Sequence, residues 1–348
     1  VIIARYGAVL LLCGAALSFG YIANLNATKW VALYCAALAC FLWFRPAAVR
    51  PVLAFCGYVL LSLAWSPDPL EGLLRLQNFA VLATVVVLFA RTELNAGLFG
   101  ATGIVGAFVL TLAFPDYLGG FGNENFRSDF VVICLPLTLC LGWWSLPFLV
   151  LGGGFLLVHG TLAVFAAAFC AAALVCVIAW RRGARYPALL LTAAAANFAV
   201  FADFAYQSWW HRLELYHNTL VLWFERPLFG HGVGAWDYVY PRVQEAHLWF
   251  STRTLIDGPA VISGAAHSDV LQLLAEYGLI GFVLAFYVLS GVRWRTPAGL
   301  ALASAIGVAC VGFPLQTPAA ALAGAVALGT SLRGARYWLP FAFRADTG

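Results

Sequence analysis

The chain alternates long apolar runs with short polar breaks, and most runs approach the ~20 residues that an α-helix needs to cross hydrocarbon. That template predicts twelve helical spans, near 6–24, 28–44, 51–65, 73–90, 96–114, 130–146, 147–159, 161–180, 186–203, 269–290, 297–313 and 317–332. The seventh is short and rich in glycine (Gly152, Gly153, Gly154). One polar break stands apart: 204–267, between spans nine and ten, is far longer than a helix–helix connection in a bundle, and such loops are usually functional. The expected fold is therefore an all-α polytopic membrane protein, a single membrane domain over 1–348, whose long loop carries short helices. The first run reads as part of the bundle and not as a cleaved leader, because no small-residue cleavage site follows Ser18.

Composition and charge sharpen this picture. Hydrophobic residues make up 63% of the chain and charged ones 10%, with mean hydropathy +0.90; a soluble domain carries roughly 25% charged residues. If every span crosses, Arg5, Arg45, Arg50, Arg91, Arg181, Arg182, Arg185, Arg293, Arg295, Arg333, Arg336 and Arg344 share one side with only Glu93 and Asp346. The positive-inside rule puts that side, and both termini, in the cytoplasm. The outer face then holds the loops 66–72, 115–129 and 204–267. The cytoplasmic loops are too short for a nucleotide-binding domain, so any chemistry runs outside, without ATP or nucleotide sugars, and no nucleic-acid partner is expected. The nine cysteines all lie in apolar runs without CxxC or zinc spacing; they read as packing residues, and no metal or other cofactor is expected.

The outer loops carry the candidate chemistry. In 209–225, apolar residues at 213, 216, 220, 223 and 224 share one face of a helix ended by Pro227; it suits the membrane interface, with Trp209, Trp210 and Trp223 at headgroup level, or serves only as an anchor. Residues 238–250, with Arg242 and Glu245, suggest a second short helix. Gly230-His-Gly232-Val-Gly234 lacks the strand and helix of a dinucleotide loop; its glycines permit a tight turn or close approach to a ligand. His267 stands at the mouth of span ten, able to hold a proton near neutral pH; the plainer reading is a hydrogen-bonded structural histidine. Asp269, Gln272 and Glu276 follow at i, i+3 and i+7 and share a face, which should turn inward because lipid penalises each of them. Glu276 is half a turn out of phase with His267 and ~13 Å along the axis, so it should tie span ten to another element. Arg75, Arg127 and Arg212 come from three outer segments and suit a phosphate-bearing headgroup; alternatively each snorkels or pairs with a carboxylate, such as Glu276 for Arg75.

Several of these elements resemble the O-antigen ligase and O-antigen polymerase family of bacterial envelope proteins: Arg212-Leu-Glu-Leu, Pro227-Leu-Phe-Gly-His-Gly-Val-Gly, and His267…Glu276-x-Gly278-x-x-Gly281. Trp65-Ser-Pro-Asp-Pro, Gly122-Asn-Glu-Asn and the long loop before span ten are similar too. Two departures stand out: Ser268 follows the histidine where the family often has Asn, and His159-Gly-Thr occupies the place of a common Ser-Arg pair. The resemblance implies an inverting, metal-independent glycosyltransferase of the bacterial inner membrane. It would take a glycan from undecaprenyl pyrophosphate, among membrane lipids, to lipid A-core or another glycan acceptor. Arg212, with Arg127 or Arg75, would neutralise the departing phosphates. His267 would receive or orient the acceptor hydroxyl, with Asp269, Glu276 and Gly232 in the substrate-binding set. Ligation, repeat-unit polymerisation and transfer to protein side chains remain open, with ligation favoured. A transporter or flippase is the competing class, although no repeated halves are apparent.

Overall fold

The computed structural model describes residues 2–18, 25–47, 49–114, 121, 123–159, 166–168, 171, 206–246 and 265–334. Among them the chain is helical, with no strand. Helix α1 is Ile2–Ala16, α2 Leu25–Phe44, α3 Arg50–Leu61, α4 Pro69–Arg91, α5 Ala96–Ala113, α6 Glu124–Leu137 and α7 Leu146–His159. Further along lie α8 Tyr206–Glu225, α9 Trp236–Ala246, α10 Asp269–Ser290, α11 Pro297–Val311 and α12 Pro318–Ser331. Among the described residues five stretches are long and apolar enough to cross a membrane: Asn26–Phe44, Pro69–Arg91, Ala96–Ala113, Glu124–His159 and Asp269–Ser290. Ile3–Ala16, Arg50–Trp65, Pro297–Val311 and Pro318–Ser331 are shorter apolar helices. The expected spans eight and nine lie outside the described residues, save 166–168 and 171. So do Arg181, Arg182, Arg185, Arg336 and Arg344, the stretch 247–264, and the side chains of Trp209 and Trp210.

Capping decides where several helices begin. Asp68 accepts from the amides of Leu70 and Glu71 while Pro69 opens α4, the arrangement that satisfies first-turn donors. The helix thus starts ahead of the predicted span and carries Glu71 and Arg75 one turn apart. Asn123 caps α6 through the amide of Asn125, so α6 starts at Glu124 and not near 130. This corrects the placement of Arg127 and Asp129: both belong to the helix, buried in the bundle, and not to an outer loop. Residues 138–145 form a 3-10 stretch between α6 and α7, turning at Gly142 with φ 65°.

Helix α12 packs on α4 and α11, and its Pro318–Ala323 run is buried throughout. Small side chains let backbones approach, the usual basis of helix association in membranes. Large apolar side chains point outward instead, among them Trp43, Leu112, Val150, Leu157 and Phe286, as a helical membrane protein requires. At one end of the bundle Arg5 pairs with Glu93, the Arg293 amide donates to Ser331, and Arg333 donates to the carbonyls of Phe89 and Leu94. The opposite end carries α8, α9 and the turn at 312–317.

Helix α10 breaks in mid-course. Gly278 has φ 62° and ψ −166°, a region open essentially to glycine alone. The break frees backbone groups that the segment Pro227–Gly232 takes up. His231 donates to the Ala275 carbonyl at 3.0 Å and Gly232 to that of Glu276 at 2.8 Å. In return Leu279 donates to Pro227 at 2.8 Å and Ile280 to Leu228 at 3.1 Å. The Tyr58 hydroxyl lies 3.0 Å from the Tyr277 carbonyl and 3.1 Å from that of Phe229. The approach leaves no room for side chains: a Cβ on Gly278 would lie 2.4 Å from the Leu228 oxygen, and one on Gly230 2.4 Å from the Glu276 oxygen. Gly278→Ala is therefore expected to destabilise the protein by roughly 3 kcal/mol or more, read as a lowered midpoint of thermal unfolding in detergent; an unchanged midpoint would refute this account of the break.

Candidate active site

His267 stands just before α10 in a strained conformation, with φ 51°. A side-chain-bearing residue rarely adopts positive φ, and such strain gathers at functional sites. Neighbours on both sides hold it there. Ser268 caps α10 by accepting from the Leu271 amide, so the serine at this position does the work of a helix cap. The Asp269 amide donates to the Gly312 carbonyl at 3.0 Å, and the Ala266 amide to Gln272 Oε1 at 3.3 Å. The His267 ring meets Phe313 edge-on, 4.9 Å between centroids, and stays partly open to solvent.

Arg212 comes to the same corner from α8. Its guanidinium donates to the Val311 carbonyl and is a hydrogen-bond partner of the Tyr216 side chain. Tyr216 in turn donates its hydroxyl to the His267 carbonyl at 3.1 Å. Burial raises the Tyr216 pKa, against the opposing pull of Arg212, so the phenol stays a donor. Asp129 of α6, fully buried, lies within electrostatic reach of Arg212 and of Asp269. Thus Arg212 and His267, distant in sequence, are tied through one tyrosine.

The inner face of α8 differs from the expectation. Leu215 and Leu222 are its buried apolar residues, with Glu214, Asn218 and Thr219 beside them, while Leu213 and Phe224 are exposed. The reason is a small core of its own: Leu215 and Leu222 pack with Trp236, Tyr240 and Val243 of α9 and with Ala266 and Ala275. Leu213 and Phe224 face outward, which suits an interfacial helix.

The polar stripe of α10 turns inward, with Asp269, Gln272 and Glu276 all buried. Asp269 accepts from the Leu315 amide at 2.7 Å. Glu276 accepts from Gln272 at 3.1 Å and from the Trp236 amide of α9 at 3.4 Å, the tie to another element that its phase suggests. Across a cleft, Arg75 donates from Nε to Glu71 at 2.7 Å, and from its two terminal nitrogens to Gln316 at 3.2 Å and Asp237 at 3.4 Å. Gln316 donates onward to Gln272 at 2.8 Å. Arg75, Asp269 and Glu276 therefore line one cavity, of about 50 Å³. Burial raises the Asp237 pKa, with Arg75 working against that rise.

Arg127 and Gly232 sit elsewhere. Arg127 is buried, donates to Thr111 at 3.3 Å, and lies over the Phe155 ring at 5.1 Å. It lines neither the Arg75 cavity nor the Val311 and Tyr216 contacts of Arg212. The Gly232 amide is spent on the Glu276 carbonyl, and its Cα faces the backbone of Ser62 and Ser66. Sequence reasoning missed Tyr216, Asp237, Gln316 and Asp129. Gln316 carried the clearest signal, a polar residue between two prolines in an outer turn.

Residues 123–286 match the family model described as O-Antigen ligase. That match, over somewhat less than half of the chain, supports an O-antigen ligase or polymerase family assignment. No curated protein matches the chain. The O-antigen ligase match spans Arg127, Arg212, Gly232, His267, Asp269 and Glu276, and leaves Arg75 outside. It supports glycan transfer of the ligase or polymerase type, with lipid-linked glycan substrates and glycan acceptors in general.

His231 shows how the loop answers to pH. It is buried, with Nε2 2.9 Å from the Leu222 carbonyl and 3.8 Å from Glu225. Burial lowers its pKa, the Leu222 bond and Glu225 oppose that shift, and Arg226 and Arg242 add to it. The unfolded chain thus takes the proton first, and His231 withdraws stability as pH falls below its ordinary 6.5. Thermal unfolding of the purified protein from pH 8 to 5 should show stability dropping below about 6.5, and His231→Gln should flatten that drop; an equally steep variant would exclude His231 as its source.

Proposed function

We propose that the protein is an inverting glycosyltransferase, working without a metal, that moves a glycan from undecaprenyl pyrophosphate to lipid A-core on the periplasmic face of the bacterial inner membrane. The observation that carries this reading is the Arg212–Tyr216–His267 linkage beside a strained backbone. In the proposed step the acceptor oxygen attacks the anomeric carbon as the bond to the diphosphate oxygen breaks on the opposite face. Configuration inverts, the hydroxyl proton passes to His267, and the electron pair leaves with the diphosphate. That leaving group is good, so the protein's task is to offset its charge, which Arg212 does through charge-assisted hydrogen bonds. Polymerisation of repeat units and transfer to protein side chains use the same donor chemistry and differ in acceptor.

Topology supports the reading. With twelve spans and both termini cytoplasmic, 204–267 is a periplasmic loop of a single membrane domain. The gathering of Arg5, Glu93 and Arg333 at the end opposite His267 agrees with that sidedness. A transporter would place its polar groups near the midplane, whereas here they collect where α8, α9 and the start of α10 meet.

Purified protein, lipid-linked donor and lipid A-core, repeat-unit or peptide acceptors, mixed without ATP or metal, should give transfer to lipid A-core. His267→Ala should abolish transfer while insertion and unfolding temperature stay normal; an active variant would remove His267 from the chemistry. Arg212→Lys keeps the charge but loses the planar fork, so kcat/KM for the donor should fall about tenfold to a hundredfold. Unchanged donor kinetics would dismiss Arg212 as the phosphate contact.

A further inference from the structure

The cavity beside Arg75 is not used by the chemistry above, yet its wall is tied to the His267 segment: it includes Asp269, two residues on, and Gln272, which holds the Ala266 amide. Its volume, about 50 Å³, exceeds the roughly 10–15 Å³ that one water needs on the same measure and leaves room for the hydroxyl-bearing edge of a sugar ring. The polar wall mixes amides (Gln272, Gln316), carboxylates (Asp269, Glu276) and the Arg75 guanidinium, over the aromatic side chains of Phe79 and Tyr277. Sugar hydroxyls donate and accept at once, so they pair with carboxylate and amide oxygens and with guanidinium N–H groups together. The apolar face of the ring needs an apolar floor, which the aromatics supply.

Charge decides against a phosphate here. Arg75 lies among Glu71, Asp237, Asp269 and Glu276, and all three of its nitrogens already donate to protein acceptors. A diphosphate would meet a field of its own sign there, whereas the Arg212 guanidinium donates to a backbone carbonyl and a phenol, with buried Asp129 within electrostatic reach. We propose that this cavity is the acceptor subsite, holding a neutral or amino sugar by its hydroxyl edge and turning away anionic groups, which go to the Arg212 side. The inference rests on the transferase reading and adds the class of sugar that the acceptor must present.

Ligand-observed NMR on the purified protein tests the subsite without any turnover. Methyl glucoside and its 2-amino analogue should bind and glucose 6-phosphate should not; Gln316→Ala, which removes an amide from the turn, should weaken the neutral sugars about tenfold. Asp237→Asn, a change at a half-exposed carboxylate, should admit the phosphorylated sugar. In the transfer assay Gln316→Ala should raise the acceptor KM about tenfold and leave the donor KM within twofold. Equal binding of glucose 6-phosphate by the native protein, neutral-sugar binding indifferent to Gln316→Ala, or a raised donor KM would each overturn the subsite. Sugar binding as expected with no transfer by the native protein would instead sink the transferase reading and leave the cavity a sugar site.

Discussion

An α-helix broken inside a membrane protein leaves carbonyls and amides that neither lipid nor an apolar neighbour can satisfy, at a cost of several kcal/mol for each in hydrocarbon. The break at Gly278 escapes that cost because a second backbone lies against it. Ala275 and Glu276 accept from His231 and Gly232, Leu279 and Ile280 donate to Pro227 and Leu228, and Tyr58 covers Tyr277. Each broken helical bond is thus replaced by one across the join, and the glycines at 230 and 278 exist to let the two chains come that close.

The rest of the outer face follows from that join. It fixes one end of the loop to α10, so α8 before it and α9 after it are held over the same helix. Val233 then threads between α3 and α4, its amide donating to Ser62 and its carbonyl accepting from Ser66. α9 reaches α10 through the Trp236 amide and Glu276, and reaches α4 through Asp237 and Arg75. α8, packed on α9 and α10, presents Arg212 and Tyr216 to the corner where His267 sits. A mobile surface loop could not keep such side chains in register; a loop spliced to a membrane helix can.

The sequence made some of this legible and concealed the rest for physical reasons. The start of α10 and its inward polar stripe were readable, because Asp269, Gln272 and Glu276 recur at helical spacing and lipid allows one orientation. The separation of Glu276 from His267 was readable from the same periodicity. The Gly230–Gly234 motif announced a close approach, but not to what: its neighbours, Ser62, Ser66, Gly72 and Glu276, lie far off in the chain. Arg127 was misplaced because Gly122-Asn-Glu-Asn reads as a turn until Asn123 is seen to cap a helix. α8 was misread for a subtler reason. Its polar residues 214, 218 and 219 face a small core built from α9, which hydropathy alone cannot anticipate.

Arg75 and Arg212 hold the same charge in different surroundings. Arg75 sits among carboxylates and spends its nitrogens on Glu71, Asp237 and the Gln316 amide, so it organises a cleft and adds little net positive potential. Arg212 meets a backbone carbonyl and a phenol, with buried Asp129 in electrostatic reach. The acids near His267 are likewise occupied: Asp269 holds the 312–316 turn and Glu276 holds α9. Each carboxylate already accepts hydrogen bonds that hold the fold. His267 is half open, held in a left-handed backbone conformation, with its ring edge-on to Phe313. In the proposed reaction the proton therefore goes to the imidazole, while the cation beside it receives the charge that the departing diphosphate carries away.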